Sequence, residues 1–571
     1  MKYYIVEGKD ALVSLSERKE NGILYVDLKW HSDIPKSPDR FGVRFTFPTA
    51  DIYSVFSPSM GQGRSLETNY FPRITDARLA SWMPLHQLNS LSGQNRFCIT
   101  LSDAKIPTRI TSGVCELGAT HDVTAFFFTG LTTAITDYTA TIRIDLRDIP
   151  YYDSIYDAVS WWEKDCGYTP AYVPKHAKEP LNSLWYSYHR NLEIESIVRE
   201  CTLTKDMGMD VVIVDDGWQT ENDGGGYACC GDWEPAPKKI GDMKTFVKRI
   251  KDTGMKVMIW YSVPYMGIYA KNYEHFKDML LDGTGDKNTY FSLDPRYREV
   301  RDFLINIYVT AVKEWDLDGL KLDFIDSFVL AGKSLHPDDR RDFESLEDAI
   351  DKLMCDVHDA LTAINPDILL EFRQTYVGPC IRKYGNMLRV GDCPNDSIKN
   401  RTGSINLRLT SGKTAVHSDM LLWHLEDPVE NAALQFVSSI FTVPQISMKI
   451  EELPQEHIKM LKHYLSFWRE WKDVLIDGKL TADNPEISYT VAASTLGNKS
   501  VIVPYCNVII KVKTDIAVIL NATGLDFVTV SGANGKNYKV VDCMGETLSE
   551  GKFDSDIQQI SAPLSAQIFI S

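Results

Sequence analysis

Long apolar runs are the first feature that the sequence lacks. No stretch reaches the roughly 20 apolar residues that a membrane helix requires. The first ten residues contain one short apolar run that charged residues interrupt, without the longer apolar core of a signal peptide. We therefore expect no membrane partner and a cytoplasmic location.

Recognisable cysteine, metal and nucleotide motifs are also missing. The 11 cysteines form no CxxC pair and no disulfide framework, which is typical of reduced thiols inside a cell. The sequence contains no HExxH, no HxH, no GxSxG and no complete phosphate-binding loop. These absences argue against zinc hydrolases, serine hydrolases, kinases and dinucleotide enzymes.

Positive charge is in deficit. The chain has 61 Lys and Arg against 78 Asp and Glu, a formal net charge of −17. Such a protein repels phosphate backbones, so we expect no nucleic acid partner. With 44% hydrophobic and 24% charged residues, its 571 residues have an ordinary globular composition and can bury a large core.

The residue pattern predicts a multidomain α/β protein in three parts. Residues 1–165 contain short β-type runs between Gly, Pro, Asn and Asp, which indicates an N-terminal β-sandwich. Residues 180–475 alternate apolar runs with amphipathic helical segments, the pattern of a (β/α)8 TIM barrel. Residues 480–571 return to short strands and predict a small C-terminal antiparallel β-sandwich.

Eight strands are predicted for the barrel. They are Ser183–His189, Asp210–Trp218, Lys256–Ser262, Gly319–Ile325, Asp367–Phe372, Met387–Asp392, Thr414–Leu422 and Pro444–Ile450. Helical patterns lie between most of them, at Ile194–Met207, Thr245–Thr253, Val300–Glu314 and Leu346–Ile364. Barrel enzymes place their chemistry at the carboxyl ends of such strands, so polar residues there are candidates for a site.

The second predicted strand ends in two adjacent acids, Asp215 and Asp216. Neighbouring carboxylates at a buried rim repel each other unless something binds them. Sugar hydroxyls would bind them, and Trp218 and Trp233 would supply apolar faces. The alternative is that the two acids cap the following helix.

The fourth predicted strand carries Lys321 and Asp323 on the same face, because strand side chains alternate. We expect these two residues to pair, so that the lysine keeps the carboxylate ionised, as a nucleophile requires. The alternative is a structural buried ion pair.

The sixth predicted strand brings Arg389 to the rim, with Asp392 at the start of the following loop. Two rim carboxylates suit glycoside hydrolysis, in which one carboxylate stays charged and the other holds a proton. We therefore predict Asp323 as the nucleophile and Asp392 as the acid/base. The alternative for Asp392 is a turn-forming role.

These segments resemble a known family when they are taken together. Val214–Trp218, Gly231–Trp233, Met258–Trp260, Leu320–Phe324 and Arg389–Asp392 occur in the order found in melibiases, the retaining α-galactosidases of glycoside hydrolase family 36. The resemblance implies double displacement with Asp323 and Asp392, and no metal or cofactor. It also implies substrate contacts from Asp215, Asp216, Lys321, Arg389, Trp233 and Trp260.

The sequence departs from the family at two places. It has Lys-Leu-Asp where many bacterial members have Lys-Trp-Asp, and Glu371 to Gln374 where a cysteine and a glycine-rich run would fall. Because Glu371 and Arg373 are charged, the sequence does not decide which sugar is the substrate. The candidates are an α-galactoside, an α-N-acetylgalactosaminide, a β-L-arabinopyranoside and an acidic sugar. Arg373, and Trp82 from the N-terminal domain, are further candidate substrate-binding residues.

Three other functions stay open on the sequence. One is a galactosyl transferase of the raffinose-synthase kind, and another is a different α-glycosidase on a related barrel. The third is a non-catalytic sugar-binding protein, which would need one of the two acids to be absent. The expected partner is in each case an oligosaccharide or glycoside, and the sequence does not indicate the oligomeric state.

Overall fold

The computed structural model describes residues 1–8, 12–61, 63–222, 225–281 and 289–571. Within these residues the chain forms two antiparallel sheets, then an eight-stranded parallel barrel, then two further sheets. This is the architecture that the residue pattern predicts.

The N-terminal strands form two facing antiparallel sheets. Their bounds are β1 Lys2–Val6, β2 Val13–Glu20, β3 Ile23–Lys36, β4 Phe41–Pro48, β5 Ser54–Phe56, β6 Arg73–Ala77, β7 Leu85–Asn89, β8 Asn95–Leu101, β9 Thr108–Cys115, β10 Thr120–Phe127 and β11 Ile135–Asp145. The strand orders are β1-β4-β10-β9-β6 and β2-β3-β11-β8-β7-β5. In β3, buried Val26, Leu28 and Trp30 alternate with more exposed residues, which places one face of the sheet on the core.

A helix joins the N-terminal sheets to the barrel. This helix, α1, spans Tyr151–Asp165, and its buried Trp162 donates from Nε1 to the carbonyl of Leu101 at 2.8 Å. The proline-spaced segment that follows contains a short 3₁₀ helix at Lys175–Lys178.

The barrel strands and helices alternate along the chain. The strands in this region are β12 Leu181–Ser183, β13 Val211–Val214, β14 Lys256–Ser262, β15 Tyr265–Gly267, β16 Tyr290–Ser292, β17 Gly319–Asp323, β18 Leu369–Arg373, β19 Met387–Arg389, β20 Ala415–His417 and β21 Gln445–Ile446. The helices are α2 Trp185–Tyr188, α3 Ile194–Asp206, α4 Met243–Lys251, α5 Tyr273–Phe276, α6 Arg298–Trp315, α7 Leu346–Ile364, α8 Ser397–Thr410, α9 Val429–Ser438 and α10 Gln455–Lys472. Strands β15 and β16 form a separate hairpin outside the barrel.

The parallel sheet closes almost completely on itself. Its order is β20-β19-β18-β17-β14-β13-β12-β21, and every pair is parallel. Two isolated bridges, His417 to Val443 and Leu421 to Ile446, complete the circle. Between β18 and β19 the connection contains a 3₁₀ helix, Ile381–Lys383, in place of an α-helix.

The predicted strands agree with the structure in position, with one exception. The segment Ser183–His189 is not a strand: β12 ends at Ser183 and the helix α2 follows it. The aromatic run Trp185-Tyr186-Ser187-Tyr188 has strand propensity, but this propensity depends on context, and here the chain turns outward at the barrel rim. The prediction for Lys256–Ser262 is confirmed over its whole length.

The barrel interior changes from apolar to charged along the strands. Leu369, at the start of β18, belongs to an apolar interior cluster that includes Met258 and Met387. Two residues further along, Glu371 is fully buried, and Lys321 and Arg389 are also buried. Because the strands are parallel, the charged layer lies on the carboxyl-terminal side of the apolar layer.

The C-terminal strands form a seven-stranded and a three-stranded sheet. Their bounds are β22 Lys479–Asp483, β23 Val491–Leu496, β24 Lys499–Pro504, β25 Ile509–Lys511, β26 Ile516–Leu520, β27 Phe527–Ser531, β28 Asn537–Val541, β29 Thr547–Lys552, β30 Ile557–Ser561 and β31 Gln567–Ile570. Most pairs are antiparallel, as expected, but β24 with β26 and β25 with β27 are parallel. Among the described residues, no helix is long and apolar enough to span a membrane.

Gly319 is a place where the barrel tolerates no side chain. A Cβ added there would lie 2.5 Å from the carbonyl oxygen and 2.6 Å from the Cβ of Leu369. We expect Gly319→Ala to lower the free energy of unfolding by about 1–3 kcal/mol, because backbone must move to relieve the overlap. Denaturant unfolding followed by circular dichroism measures this, with Gly61→Ala as the control because a Cβ there meets nothing within 4 Å. Equal midpoints for the two variants would contradict the prediction.

Candidate active site

The carboxyl ends of the barrel strands carry the polar groups of the candidate site. Asp215 directly follows β13, Asp323 is the last residue of β17 and Arg373 is the last residue of β18. Asp392 lies just beyond β19. Because parallel barrel strands end at one rim, these side chains converge on one region.

Asp323 accepts four hydrogen bonds. Trp260 Nε1 donates to Oδ2 at 3.0 Å. The other oxygen, Oδ1, accepts from Arg373 Nε at 2.9 Å, from the N–H of Phe324 at 2.8 Å and from the hydroxyl of Tyr376. Phe324 has a left-handed backbone, φ 62°, at the point where the strand ends. The carboxylate is therefore held in one orientation by three side chains and one backbone group.

Charged neighbours keep Asp323 ionised although it is only 5% exposed. Burial raises the pKa of a carboxyl group. The positive charges of Arg373 and Lys321, helped by the hydrogen bonds, outweigh burial and bring the pKa of Asp323 below its ordinary value. An ionised carboxylate is the form that acts as a nucleophile.

Lys321 pairs with Asp215, and the prediction that it pairs with Asp323 is wrong. Lys321 Nζ donates to Asp215 Oδ2 at 2.6 Å, and both side chains are buried. The cation in contact with Asp323 is Arg373. Residues two apart on a strand are separated by roughly 6.6 Å along it, so the long lysine side chain instead meets a carboxylate from another strand.

Asp216 has its own cation. Arg190 Nε donates to Asp216 Oδ2 at 2.9 Å, and burial, against the opposing charge of Arg190, raises the pKa of Asp216. The adjacent carboxylates are thus paired separately, with Lys321 and with Arg190, which offsets their mutual repulsion. They do not cap the following helix, because the N-cap of α4 is Asp242.

Aromatic side chains lie beside these carboxylates. The rings of Trp233 and Trp260 meet edge to face with centroids 5.9 Å apart, and both are almost fully buried. Tyr227 stacks on Trp260 at 6.2 Å. Burial, together with the charges of Asp216 and Asp323, raises the pKa of Tyr227, so its hydroxyl lies in the field of both carboxylates.

Asp392 is held by Arg389 at the rim. Arg389 Nη2 donates to Asp392 Oδ1 at 2.8 Å, and the Asp392 side chain is 49% exposed. Partial burial raises its pKa, but Arg389, with Lys321 and Arg373, brings the pKa of Asp392 well below the ordinary value. The expectation was that one acid stays charged and the other holds a proton, whereas neighbouring cations lower the pKa of both Asp323 and Asp392.

Arg389 lies among three carboxylates. Its Nη1 bonds to Asp419, its Nη2 bonds to Asp392, and its Nε lies 3.7 Å from Glu371 Oε1. Gln445 Nε2 donates to the other oxygen of Glu371 at 2.5 Å. Glu371 is therefore bound on one side and approached without contact on the other.

Glu371 and Arg373 serve different neighbours although both face the barrel interior. Glu371 belongs to the charged layer with Arg389, whereas Arg373 contacts Asp323 at the rim. The two side chains are thus not paired with each other.

A cavity of ≈ 740 Å³ opens next to Asp392. Residues 58–61 and Trp82 of the N-terminal region line one side, and Arg373, Thr375 and Asp392 line the other. Trp82 has φ 55° and its N–H donates to the carbonyl of Thr375 at 2.7 Å. The structure therefore brings Trp82 to the barrel rim, as expected, and Asp323 is not among the residues that line this cavity.

A larger cavity of ≈ 1000 Å³ lies elsewhere, between the N-terminal sheets and the start of α7. It is lined by Arg18, Asp27, Tyr138, Trp161 and Glu347 among others. None of the residues predicted for the site lines this cavity.

Several residues at the site were missed by sequence reasoning. They are Arg190, Gln219, Tyr227 and Tyr376, which contact or approach the carboxylates, and Tyr186, which donates to Asp419 at 3.0 Å. Most lie in loops or short helices, where no strand periodicity indicates direction.

A family model described as Melibiase matches residues 175–387, which contain the barrel strands from β12 to β18 and the first residue of β19. Among curated proteins, the chain is 25% identical over 155 residues to the bifunctional alpha-galactosidase/sucrose kinase AgaSK of Mediterraneibacter gnavus. This match covers 26% of the chain and 16% of that relative, so the chain matches only a small part of the relative's length.

Solved structures agree over the whole fold. The GH36 alpha-galactosidase AgaA of Geobacillus stearothermophilus, solved with raffinose, superposes with a TM-score of 0.69 at 14% identity, covering 100% of this chain and 86% of that one. The galactosidase domain of AgaSK gives a TM-score of 0.68 at 13% identity, covering 99% of this chain and 81% of that one.

These findings confirm the resemblance that the motifs indicated, and they support the prediction of a glycoside hydrolase. The likeness in three dimensions extends the match to the sheets on either side of the barrel. The barrel of this chain is thus related to that of the melibiases, within the fold of the family 36 α-galactosidases.

Proposed function

We propose that this protein is a retaining, exo-acting α-galactosidase that releases terminal α-linked galactose by double displacement. The observation that carries the proposal is Asp323, a buried carboxylate that four donors orient at the carboxyl end of β17. Asp392, beside the open cavity, is the proposed acid/base. Related solved structures were obtained with raffinose and with stachyose, oligosaccharides that end in α-linked galactose, and they carry aspartate substitutions.

In the first step, Asp323 Oδ2 attacks the anomeric carbon. Oδ1 accepts three hydrogen bonds and Oδ2 only one, from Trp260, so Oδ2 has lone pairs left for the new bond. As the ester forms, negative charge leaves the carboxylate and the donors on Oδ1 keep the remaining carbonyl oxygen in place. The positive charge of Arg373 makes the carboxylate a good leaving group in the second step.

Asp392 transfers protons to and from two oxygen atoms, the glycosidic oxygen that leaves and the water oxygen that attacks. In the first step it gives a proton to the glycosidic oxygen, and in the second step it takes one from water. Its half-exposed position beside the cavity supports both exchanges, because the leaving group and the water reach it from the same side.

The galactose hydroxyls would be bound by the paired acids of the second strand. Asp215 and Asp216 each keep lone pairs beyond those used by Lys321 and Arg190, and hydroxyl groups are suitable donors to them. Trp260 and Trp233 close the apolar side of this space. The leaving sugar would occupy the cavity beside Trp82.

Hydrolysis of a panel of aryl glycosides tests the proposal directly. We expect 4-nitrophenyl α-galactoside to be cleaved much faster than the corresponding α-N-acetylgalactosaminide, α-glucoside, β-L-arabinopyranoside and α-galacturonide. Proton NMR of the first-formed sugar is expected to show the α anomer. Faster cleavage of another glycoside would contradict the proposed sugar specificity. A β anomer as first product would contradict retention, and transfer of galactose to added sucrose in place of release would contradict hydrolysis.

Glycine variants of the two acids separate their roles. We expect Asp323→Gly to lose essentially all hydrolysis of every α-galactoside. Asp392→Gly is expected to lose roughly 10²–10⁴-fold on raffinose, whose leaving group needs a proton, but far less on 2,4-dinitrophenyl α-galactoside. Steady-state kcat/KM on both substrates measures this.

The matched control for these variants is Asp242→Asn. Asp242 caps α4 and does not line the cavity, and asparagine caps a helix equally well, so both rates should stay near those of the unmodified protein. The assignment of Asp392 as the acid/base would be contradicted if the control variant lost much of its activity. It would also be contradicted if Asp392→Gly lowered kcat/KM equally on both substrates.

Tyr376→Phe tests how Asp323 is kept ionised. Loss of a donor to Oδ1 destabilises the charged form and raises the pKa of Asp323. Activity depends on the charged form, so the acid limb of the kcat/KM profile should move to higher pH while the alkaline limb stays in place. The control is Tyr308→Phe, because the buried Tyr308 hydroxyl lies on α6, has no hydrogen-bond partner among the described residues and contacts none of the acids. An unmoved acid limb in Tyr376→Phe would contradict this account.

A further inference from the structure

Two buried polar atoms of opposite charge face each other below the rim without bonding. Glu371 Oε1 and Arg389 Nε each have no hydrogen-bond partner within the described part of the chain, and they lie 3.7 Å apart. Both side chains are 1% exposed. Buried polar groups are seldom left unpaired, and a small movement of either side chain would join these two.

Arg389 Nη1 also donates to the carbonyl of Val390 at 3.0 Å, and its bonds to the carboxylates of Asp419 and Asp392 differ in how firmly those carboxylates are held. Asp419 is fully buried and is held in addition by the N–H of Cys393 at 2.6 Å and by Tyr186. Asp392 is half exposed, and its carboxylate bonds to no other side chain in the described residues than Arg389. If the guanidinium of Arg389 rotates while its bond to Asp419 is kept, it therefore loses its contact with Asp392 and gains one with Glu371.

The proposed reaction requires such a change. Arg389 holds Asp392 ionised, but the first step needs a proton on Asp392. A substrate that covers Asp392 removes it from water and favours its neutral form. Once neutral, Asp392 no longer attracts Arg389, whereas Glu371 still does.

We propose that Glu371 is a positioning residue that takes over Arg389 from Asp392 during turnover. The bond from Arg389 Nη2 to Asp392 breaks, the bond from Arg389 Nε to Glu371 Oε1 forms, and the bond from Nη1 to Asp419 persists. Asp392 is then free to hold the proton that it delivers. This inference rests on the proposed function, in which Asp392 is the acid/base.

The charged and titratable groups around this exchange are all close by. Those facing Arg389 are Asp392, Asp419, Glu371, Arg373, His417 and Tyr186. Those facing Asp392 are Arg389, Lys321, Arg373, Tyr186 and Asp419. Those facing Glu371 are Arg389, Lys321 and Asp215, with Gln445 bonded to it. Among the described residues, Glu371 is the carboxyl group with an unfilled acceptor, Oε1, close to Arg389 Nε, so it is the group to change.

The test is Glu371→Gln, which keeps the shape of the side chain and removes its charge. Arg389 should then stay on Asp392, because a neutral amide competes less well for a guanidinium than a carboxylate does. We expect kcat/KM on raffinose to fall about tenfold or more, and that on 2,4-dinitrophenyl α-galactoside to change little, since only raffinose needs the proton. The alkaline limb of the kcat profile on raffinose should move to lower pH.

Controls separate this effect from a general structural one. Glu371→Asp keeps the charge and should recover most of the raffinose activity. Glu200→Gln changes another buried glutamate, one that lies on α3 and accepts from the N–H of Ile450, and should leave the ratio of the two substrates unchanged. Equal losses on both substrates in Glu371→Gln, or no loss, would overturn the inference.

If Glu371→Gln does not fold, a crystal structure tests whether Arg389 moves from Asp392 to Glu371. In the Asp323→Asn variant with raffinose bound, we expect Arg389 Nε within about 3.2 Å of Glu371 and Nη2 away from Asp392. Unchanged Arg389 contacts would overturn the inference while leaving the proposed function intact. If the unmodified protein cleaves no α-galactoside, the proposed function fails first and the inference fails with it.

Discussion

Asp323 is held ionised although water barely reaches it, and the surrounding charges and hydrogen-bond donors are arranged around this carboxylate. Removing a carboxylate from water costs several kcal/mol unless nearby charges and donors compensate. The chain meets the cost with Arg373 in contact, Lys321 nearby, and donors from Trp260 and Tyr376. Each compensating cation is itself buried and requires a carboxylate as partner, and for Lys321 this partner is Asp215. The layer of charged side chains inside the barrel is a consequence of these successive pairings.

The position of the acids was predictable from the sequence, because strand periodicity and the barrel rule act locally. The runs that end in Asp215 and Asp323 are strands in the structure, and their polar ends meet at one rim. Their partners were not predictable in the same way. Lys321 was assigned to the neighbour two residues away, whereas it bonds to a residue 106 positions distant. Which cation meets which carboxylate is decided across the barrel, where sequence spacing carries no information.

The outer sheets and their loops were predicted as a fold but not as part of a site. Short alternating strands indicate a sandwich, and the structure has the sheets. That residues 58–61 meet the barrel rim depends on how the two units pack, which local pattern does not express. The same holds for Arg78, which donates to the carbonyl of Phe328 at 2.8 Å in the loop after β17. Trp82 was expected at the rim only from the family resemblance.

The cavity beside Asp392 has walls from two separately folded parts of the chain. The barrel wall contains Arg373 and Asp392, to which the proposed reaction gives roles, whereas the opposite wall consists of residues 58–61 and Trp82, where the leaving sugar is proposed to lie. Substitutions in that second wall can alter which aglycone is accepted without touching a charged group of the barrel. Under the proposed function, the preference for the leaving sugar and the chemistry of the bond are free to evolve independently, because they are encoded more than 200 residues apart.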